Sequence, residues 1–282
     1  MEKHSTTFTM KVGFFLPTYN NLEELKLAIN SINPFEVPIV VGIDGSTDGT
    51  KEWLKSNQIQ FFEHPGGGNR GRAATRNLAL QLDWDWVVFM DSDMEFTGTI
   101  DPLIQNPSNV EVYVGRIRYS RKNNPWINYC SKRGVHKYTN GPVPYRAFST
   151  GICAVPMALF KHLNGFDEQF ITYGGEDLEF AIRIKNNHSP FFKASFLKTT
   201  SKDNKSLDEA LIELKKFGET GLKIIQKKHT NYDPYQINSR IPIAFEGIAR
   251  KFLSLMPKKF HSKIIHYLVY CAVKKGFYSK ST

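Results

Sequence analysis

Trp86-Val87-Val88-Phe89-Met90-Asp91-Ser92-Asp93 is an apolar run that stops on two acids separated by one serine. A continuous apolar segment of this length, rich in β-branched and aromatic residues, reads as a strand buried on both faces, as in a parallel sheet covered by helices. In extended backbone, residues i and i+2 project to the same side, so Asp91 and Asp93 aim at one point beyond the strand end. Two carboxylates there repel unless a cation or a donor neutralises them. A hard divalent ion bridging to a diphosphate does so; two solvated turn aspartates are the plain alternative.

Upstream, the same strand-then-loop pattern repeats. Lys11 to Leu16 predicts a strand ended by Pro17-Thr18-Tyr19-Asn20, and apolar residues at 22, 25, 29 and 32 predict a helix. Pro38 to Ile43 is a second strand, ending in Asp44-Gly45-Ser46-Thr47-Asp48-Gly49-Thr50, with helix to about Ser56. Gln58 to Glu63 is a third, followed by Gly66 to Gly71 and a helix from Arg72 to Leu82. The functional-looking loops all follow strand ends, where open α/β sheets bind ligands.

Downstream the alternation is less regular. Glu111 to Tyr119 and Phe148 to Val155 read as strands, Pro156 to Leu163 and Glu176 to Lys185 as helices, and Leu207 to Lys228 as one longer helix. Arg121 to Pro144, rich in Asn, Pro, Gly, Tyr and Lys, reads as a long loop. The expected class is α/β: a mixed, mostly parallel, Rossmann-like sheet flanked by helices.

Gly174-Gly175-Glu176-Asp177 places an acid pair on the first turn of a predicted helix. Capping accounts for carboxylates there, since they complement the helix dipole, and would make them weak bases. A neighbouring carboxylate raises the pKa again, so the pair can supply a proton acceptor near neutral pH. The run Gly66 to Gly71 has G-x-G-x-x-G spacing with Asp91 twenty residues on, the pattern of a dinucleotide loop. It opens the third strand-helix unit instead of the first, and its acid belongs to an Asp-x-Asp doublet. An NAD-dependent oxidoreductase is therefore the weakest reading.

The 282 residues carry 37 basic and 27 acidic side chains, but residues 1–240 hold 29 and 26 of them and residues 241–282 hold 8 and 1. Most of the excess charge thus sits in a tail that also carries Ile248, Phe252, Leu255, Phe260, Ile264 and Leu268. Basic and apolar residues at near-helical spacing predict two short amphipathic helices suited to an anionic membrane surface, with packing on the main body as the alternative. No nucleic-acid motif accompanies the charge. The three cysteines have no C-x-x-C spacing, which favours a reducing compartment. No apolar stretch approaches the roughly 20 residues of a membrane span. The expected organisation is a catalytic domain over residues 1–230 and a basic helical tail over 231–282. The expected location is cytoplasmic, peripheral on the membrane face.

Taken together, Pro17-Thr18-Tyr19-Asn20, the Asp44 to Thr50 run, Ala74-Thr75-Arg76-Asn77, Asp91-Ser92-Asp93 and Gly174-Gly175-Glu176-Asp177 resemble glycosyltransferase family 2 with the A-type glycosyltransferase fold. The similarity spans roughly Met10 to Phe217, and the order of the pieces makes it specific. It implies that Pro17, Thr18 and Tyr19 line a nucleotide pocket, that Asp44 and Arg76 hold the base, and that Asp91 and Ser92 face the ribose and metal region. It further implies that Asp93, with Asp91, coordinates Mn2+ or Mg2+ on the diphosphate, that Asp177 is the general base, and that Glu176 holds a sugar. The implied reaction is inverting transfer from a nucleotide diphosphate sugar, with a UDP-sugar expected, to a glycan or lipid-linked acceptor in surface polysaccharide synthesis. One departure is that related enzymes often carry a histidine metal ligand after the acid-pair helix and its following strand. Here that stretch reads Ser195 to Ser201, His188 falls too early, and Lys198 is the charge available to the donor diphosphate, with a more weakly held metal as the alternative. A noncatalytic glycan or lipid-surface binding module is the alternative from another class.

Overall fold

The computed structural model describes residues 10–105, 111–120, 124–230, 232–233, 237 and 242–279. The start of the expected tail at residue 231 and the start of the expected long loop at 121–123 lie outside them.

Strand β1 (Val12–Thr18) has parallel partners on both sides, which is why its sequence is apolar almost without alternation. Helix α1 (Leu22–Ile32) buries Leu25, Ala28, Ile29 and Ile32, one face at helical spacing. Then come β2 (Ile39–Ile43), α2 (Thr50–Ser56), β3 (Gln60–Glu63), α3 (Arg72–Asn77) and β4 (Trp86–Met90). The helix expected to run to Leu82 tightens into a 3-10 turn over Leu78–Gln81, closed by the Leu82 amide donating to the Ala79 carbonyl (3.0 Å).

Beyond the Asp-Ser-Asp turn lie β5 (Met94–Phe96), α4 (Asp101–Gln105), β6 (Val112–Tyr119), α5 (Pro125–Cys130) and β7 (Gly141–Val143). Thus the stretch expected as loop contains a helix and a strand among its described residues. Asn124 Oδ1 accepts from the amides of Trp126 (2.9 Å) and Ile127 (3.4 Å), and Pro125 takes the first helical position. Asn followed by Pro is a helix start as well as a loop signal, and here capping decides.

The remainder comprises β8 (Ile152–Pro156), α6 (Met157–His162), α7 (Glu176–Asn186), β9 (Phe191–Ser201), α8 (Leu207–Glu219), α9 (Gly221–Lys228), α10 (Glu246–Leu255) and α11 (Lys258–Tyr278). The helix expected over 207–228 breaks at Thr220 (φ −126°, ψ −70°). Gly221 there abuts the loop before α7 so closely that a Cβ would stand 2.4 Å from the Gly174 carbonyl oxygen.

One sheet runs in the order β3-β2-β1-β4-β8-β6-β9-β5, with β7 on β9. The first four strands are parallel, β8 is antiparallel to both neighbours, and β6 and β9 are parallel to each other. This is the expected mixed, mostly parallel sheet. Each face carries a core: Phe89, Phe160, Phe166 and Phe180 pack edge to face or tilted on one side, and Phe14, Phe96 and Trp86 lie on the other.

The C-terminal helices divide. α11 is seated on α8, burying Ile265, Leu268 and Val273. Added Cβ atoms would stand 2.1 Å from the Val273 carbonyl at Gly218 and 2.0 Å from the Lys215 carbonyl at Gly276. Two glycines therefore set this close helix approach. α10 has no buried residue. It leaves Phe252 (42% exposed) and Leu255 (80%) open beside α11. Among the described residues, no helix is long and apolar enough to cross a membrane.

Candidate active site

From β1 the chain moves one way to β2 and β3 and then returns to β4 on the other side. The loops after β1, β2 and β4 diverge at that reversal, and a cleft of about 360 Å3 opens there. Pro17, Thr18, Tyr19 and Asp44 line it from β1 and β2, Arg76 from α3, and Asp91, Ser92 and Asp93 from the turn after β4. Of the residues singled out from sequence, Glu176 and Asp177 do not line this cleft; Glu176 is joined to it through Arg76, and Asp177 is its chain neighbour.

Hydrogen bonds fix the cleft walls. The Thr18 hydroxyl pairs with Asn21 Oδ1, and Asn21 Nδ2 donates to Ser92 Oγ (2.9 Å), tying the β1 loop to the Asp-Ser-Asp turn. Asp44 is buried; its two oxygens accept from the amides of Arg70 (2.7 Å) and Gly71 (3.1 Å). The glycine-rich run thus folds back onto Asp44, with Gly71 at φ 88°, where a side chain is disfavoured. A dinucleotide loop leaves amides of this kind free for a pyrophosphate. Here the two nearest the helix are consumed by a carboxylate, which counts against the dinucleotide reading. Tyr19, 51% exposed, offers its ring to the cleft.

Arg76 is 2% exposed. Its Nη2 donates to Asp91 Oδ1 (2.9 Å) and its Nη1 to Glu176 Oε1 (3.1 Å); its guanidinium also lies 5.8 Å from the Phe166 ring centroid. Burial opposes the charge, but Asp91 and Glu176 outweigh it and hold Arg76 protonated. Asp177 is next to this pair at the start of α7. Gly175, at φ 106°, presses on Phe170 and Phe217 there, and a Cβ would meet their rings at 2.8 and 3.0 Å. Burial and the Glu176 charge raise the Asp177 pKa to about 7, against the opposing pull of Arg76 and the Leu178 amide. Desolvation and the like charge thus exceed the pKa-lowering effect of the helix terminus, although Asp177 Oδ1 still accepts from the Leu178 amide (2.8 Å).

Asp93 is exposed on the cleft wall. Desolvation by the neighbouring walls, then Asp91, raises its pKa to about 6; Asp203 adds to the rise and Arg72 opposes it. β9 brings Asp203 there, since Ser201 pairs with Met94 and the chain continues past Asp93. Asp91 Oδ1 is paired with Arg76, which leaves its other oxygen and the Asp93 carboxylate as hard oxygen donors of the kind that suit Mn2+ or Mg2+. Among the described residues no group of three or more His, Cys, Asp or Glu could hold a metal by itself; Asp91 and Asp93 are the residues that would hold one, together with donors from the substrate. His188 is exposed, at φ 60°, past the far end of α7. The eleven residues of that helix put it roughly 16 Å from the acid pair, at 1.5 Å per residue. Lys198 does not line the cleft; Arg72 does.

The sequence profile of glycosyl transferase family 2 matches residues 14–162, slightly more than half of the chain. The chain belongs to glycosyl transferase family 2. A second profile, the N-terminal domain of galactosyltransferase, matches residues 134–204, which include the acid pair and β9. Beta-1,4-galactosyltransferase 5 of Sus scrofa is 25% identical over 185 residues, covering 62% of this chain and 38% of its own length. An uncharacterized glycosyltransferase of Mycoplasma genitalium is 30% identical over 118 residues, covering 37% and 39%. The chain thus spans about two fifths of the length of these curated relatives. The mannosyltransferase PcManGT from Pyrobaculum calidifontis, solved with GDP-Man and Mn2+, superposes with a TM-score of 0.61 at 18% identity, over 95% of this chain and 88% of that one. That likeness shows the A-type glycosyltransferase fold.

Within this family 2 chain, sequence reasoning missed Asn21, Tyr173 and Asp203. Asn21 directly follows the quoted Pro17 to Asn20 loop, and its signal was a second amide next to a strand end. Tyr173 lines the cleft, and its ring lies 5.5 Å from the Arg72 guanidinium and 5.3 Å from the Lys205 ammonium. Burial, then Glu213, raises its pKa, so it stays a neutral hydroxyl. Asp203 carries no local signal, since only the pairing of β9 with β5 brings it beside Asp93.

Proposed function

We propose that this chain transfers a sugar, with inversion, from a nucleoside diphosphate donor bound in the cleft to a hydroxyl of a glycan or lipid-linked acceptor. UDP is the expected carrier and surface polysaccharide the expected product. The observation that carries the reading is the Arg76 bridge. It couples Asp91 in the cleft to Glu176, whose neighbour Asp177 has its pKa raised to about 7 by burial and the Glu176 charge.

Tyr19 stacks on the base, and Thr18 and Asn21 hold the loop against which the ribose rests. Asp44 acts from behind, shaping the base pocket through the 70–71 backbone. Asp93 and Asp91 would hold Mn2+ or Mg2+, which when bound offsets the charge of the departing diphosphate. Asp177, ionised at and above neutral pH, accepts the acceptor's hydroxyl proton, and Glu176, fixed by Arg76, positions the sugar. The family membership and the Mn2+-bound fold relative support this reading.

Residues 1–230 act as the catalytic domain, and the basic tail from 231 holds it peripherally on an anionic membrane surface at the cytoplasmic face. Phe245, Ile248, Phe252, Met256 and Phe260 line an apolar groove between α10 and α11, and Lys251, Lys258, Lys259 and Lys263 lie on the same two helices. Apolar side chains for the interface with lysines for anionic headgroups are the recognition chemistry of a membrane-surface helix.

The test is a panel of nucleotide sugars with Mn2+. UDP should bind in the micromolar range, one donor should support transfer, and Asp177→Asn should remove transfer while nucleotide still binds. Wild-type turnover by Asp177→Asn would reject Asp177 as the base. Nucleotide binding without transfer or donor hydrolysis across the panel would favour the noncatalytic module.

A further inference from the structure

A second cavity, of about 250 Å3, lies away from the donor cleft. It is lined by Arg116, Arg118 and Lys198 with Thr97 and Thr199. The pairing of β6 with β9 makes it: Arg116 stands opposite Lys198, and Arg118, two residues on and so on the same side as Arg116, stands opposite Thr200. All three cations are exposed. No carboxylate lines the cavity, and none of the ion pairs among the described residues includes any of the three. The positive field extends further, since burial and then Arg116 depress the pKa of both Lys193 and His136.

Like charges directly opposite on neighbouring strands are destabilising. Two guanidinium forks beside an ammonium match the oxygens of a phosphate or carboxylate, and Thr97 supplies a hydroxyl. Thr97 lies on the extension of β5, roughly 13 Å along the backbone from Asp93 at about 3.3 Å per residue. The Thr97 edge of the cavity is therefore at most about 13 Å from Asp93, within the span of a short saccharide.

We propose that Arg116, Arg118 and Lys198 form an anion subsite that takes a phosphate or carboxylate group of the acceptor, so that the acceptor class is an acidic sugar or sugar phosphate. The assignment to an acceptor rests on the transfer reading above; the anion site itself does not. Lys198, the charge the sequence offered to the donor diphosphate, serves the other substrate.

The experiment is calorimetric titration of the full chain, with the donor cleft saturated by UDP and Mn2+. Hexose 6-phosphates and hexuronates are titrated in one arm, neutral hexoses in a second, inorganic phosphate alone in a third, and phosphatidylglycerol vesicles are tested for co-sedimentation in a fourth. At least one acidic sugar should bind tenfold or more tighter than its neutral parent and than inorganic phosphate. Arg116→Gln/Arg118→Gln should lose at least tenfold of that affinity while UDP binding, which also reports folding, is unchanged. Undiminished binding by the double variant, or binding by no acidic sugar, overturns the subsite. Inorganic phosphate binding as tightly as the sugar phosphate would make it a free-anion site, and loss of vesicle binding in the double variant without any sugar effect would make it a headgroup site. Either result overturns the acceptor assignment. Because the readout is binding, failure here is distinct from a failure of the transfer reading, which shows as absent turnover with every donor.

Discussion

Arg76 and Glu176, one hundred positions apart in the chain, meet at 3.1 Å with almost no access to solvent. Arg76 comes from the helix after β3 and Glu176 from the first turn of α7, so this contact joins the half of the molecule that holds the cleft to the half that carries the acid pair.

Arg76→Met should therefore cost stability as well as activity. Glu176 would be left buried without its cation, and breaking a buried pair in this way costs about 3–5 kcal/mol. Urea unfolding of the two proteins measures it; a loss under about 1 kcal/mol would mean that Glu176 finds another partner or takes up a proton.

In the proposed role of base, the Asp177 carboxyl would act only when ionised. With its pKa at about 7, kcat/KM should rise with pH, with a midpoint near 7 and a plateau about one unit above it. A rising limb centred near pH 4 instead would show that Asp177 is not desolvated.

The same group sets a stability trend. Folded Asp177 keeps its proton to about pH 7, whereas the ordinary value is 3.8. The folded state thus binds the extra proton between these values. Its contribution is complete below about 3.8 and is lost as pH rises through 7. Asp177→Asn should raise the melting temperature at pH 8 and have little effect at pH 4, read by thermal scans at the two pH values. A destabilised variant at pH 8 would contradict this.

Asp44→Ala should weaken UDP binding through the loop it holds, since the amides of Arg70 and Gly71 would lose their acceptor. Leaving buried donors unpaired costs about 1–3 kcal/mol, and titration of UDP with denaturant curves beside it separates the pocket effect from the global one.

Phe252→Asp/Leu255→Asp should abolish co-sedimentation with anionic vesicles while leaving the melting temperature within about a degree, because both side chains are exposed on α10. Deleting residues 241–282 is the poorer test, since it removes α11 and uncovers the α8 surface that Leu268 and Val273 cover. Vesicle binding by the double variant equal to wild type would remove the membrane-surface reading.

The parallel half of the sheet was legible in the sequence because β1, β2 and β4 are buried on both faces and each strand ends in a loop of Pro, Gly, Asn or Asp, although β3 at the sheet edge is partly exposed. Local composition records both facts. Asp91, Asp93 and the Glu176-Asp177 pair were legible for the same reason, as acids stopping an apolar run or opening a helix. Sequence alone leaves capping and base chemistry both open for the acid pair. The surrounding protein and the Glu176 charge raise the Asp177 pKa to about 7, a property of the folded volume around the helix end and not of the helix itself. Asp44 was expected to meet a base, and only the folded loop shows its oxygens occupied by two backbone amides. Asp203 beside Asp93, Lys198 opposite Arg116, and α11 against α8 depend on strand register and helix crossing between distant segments, which no local pattern encodes.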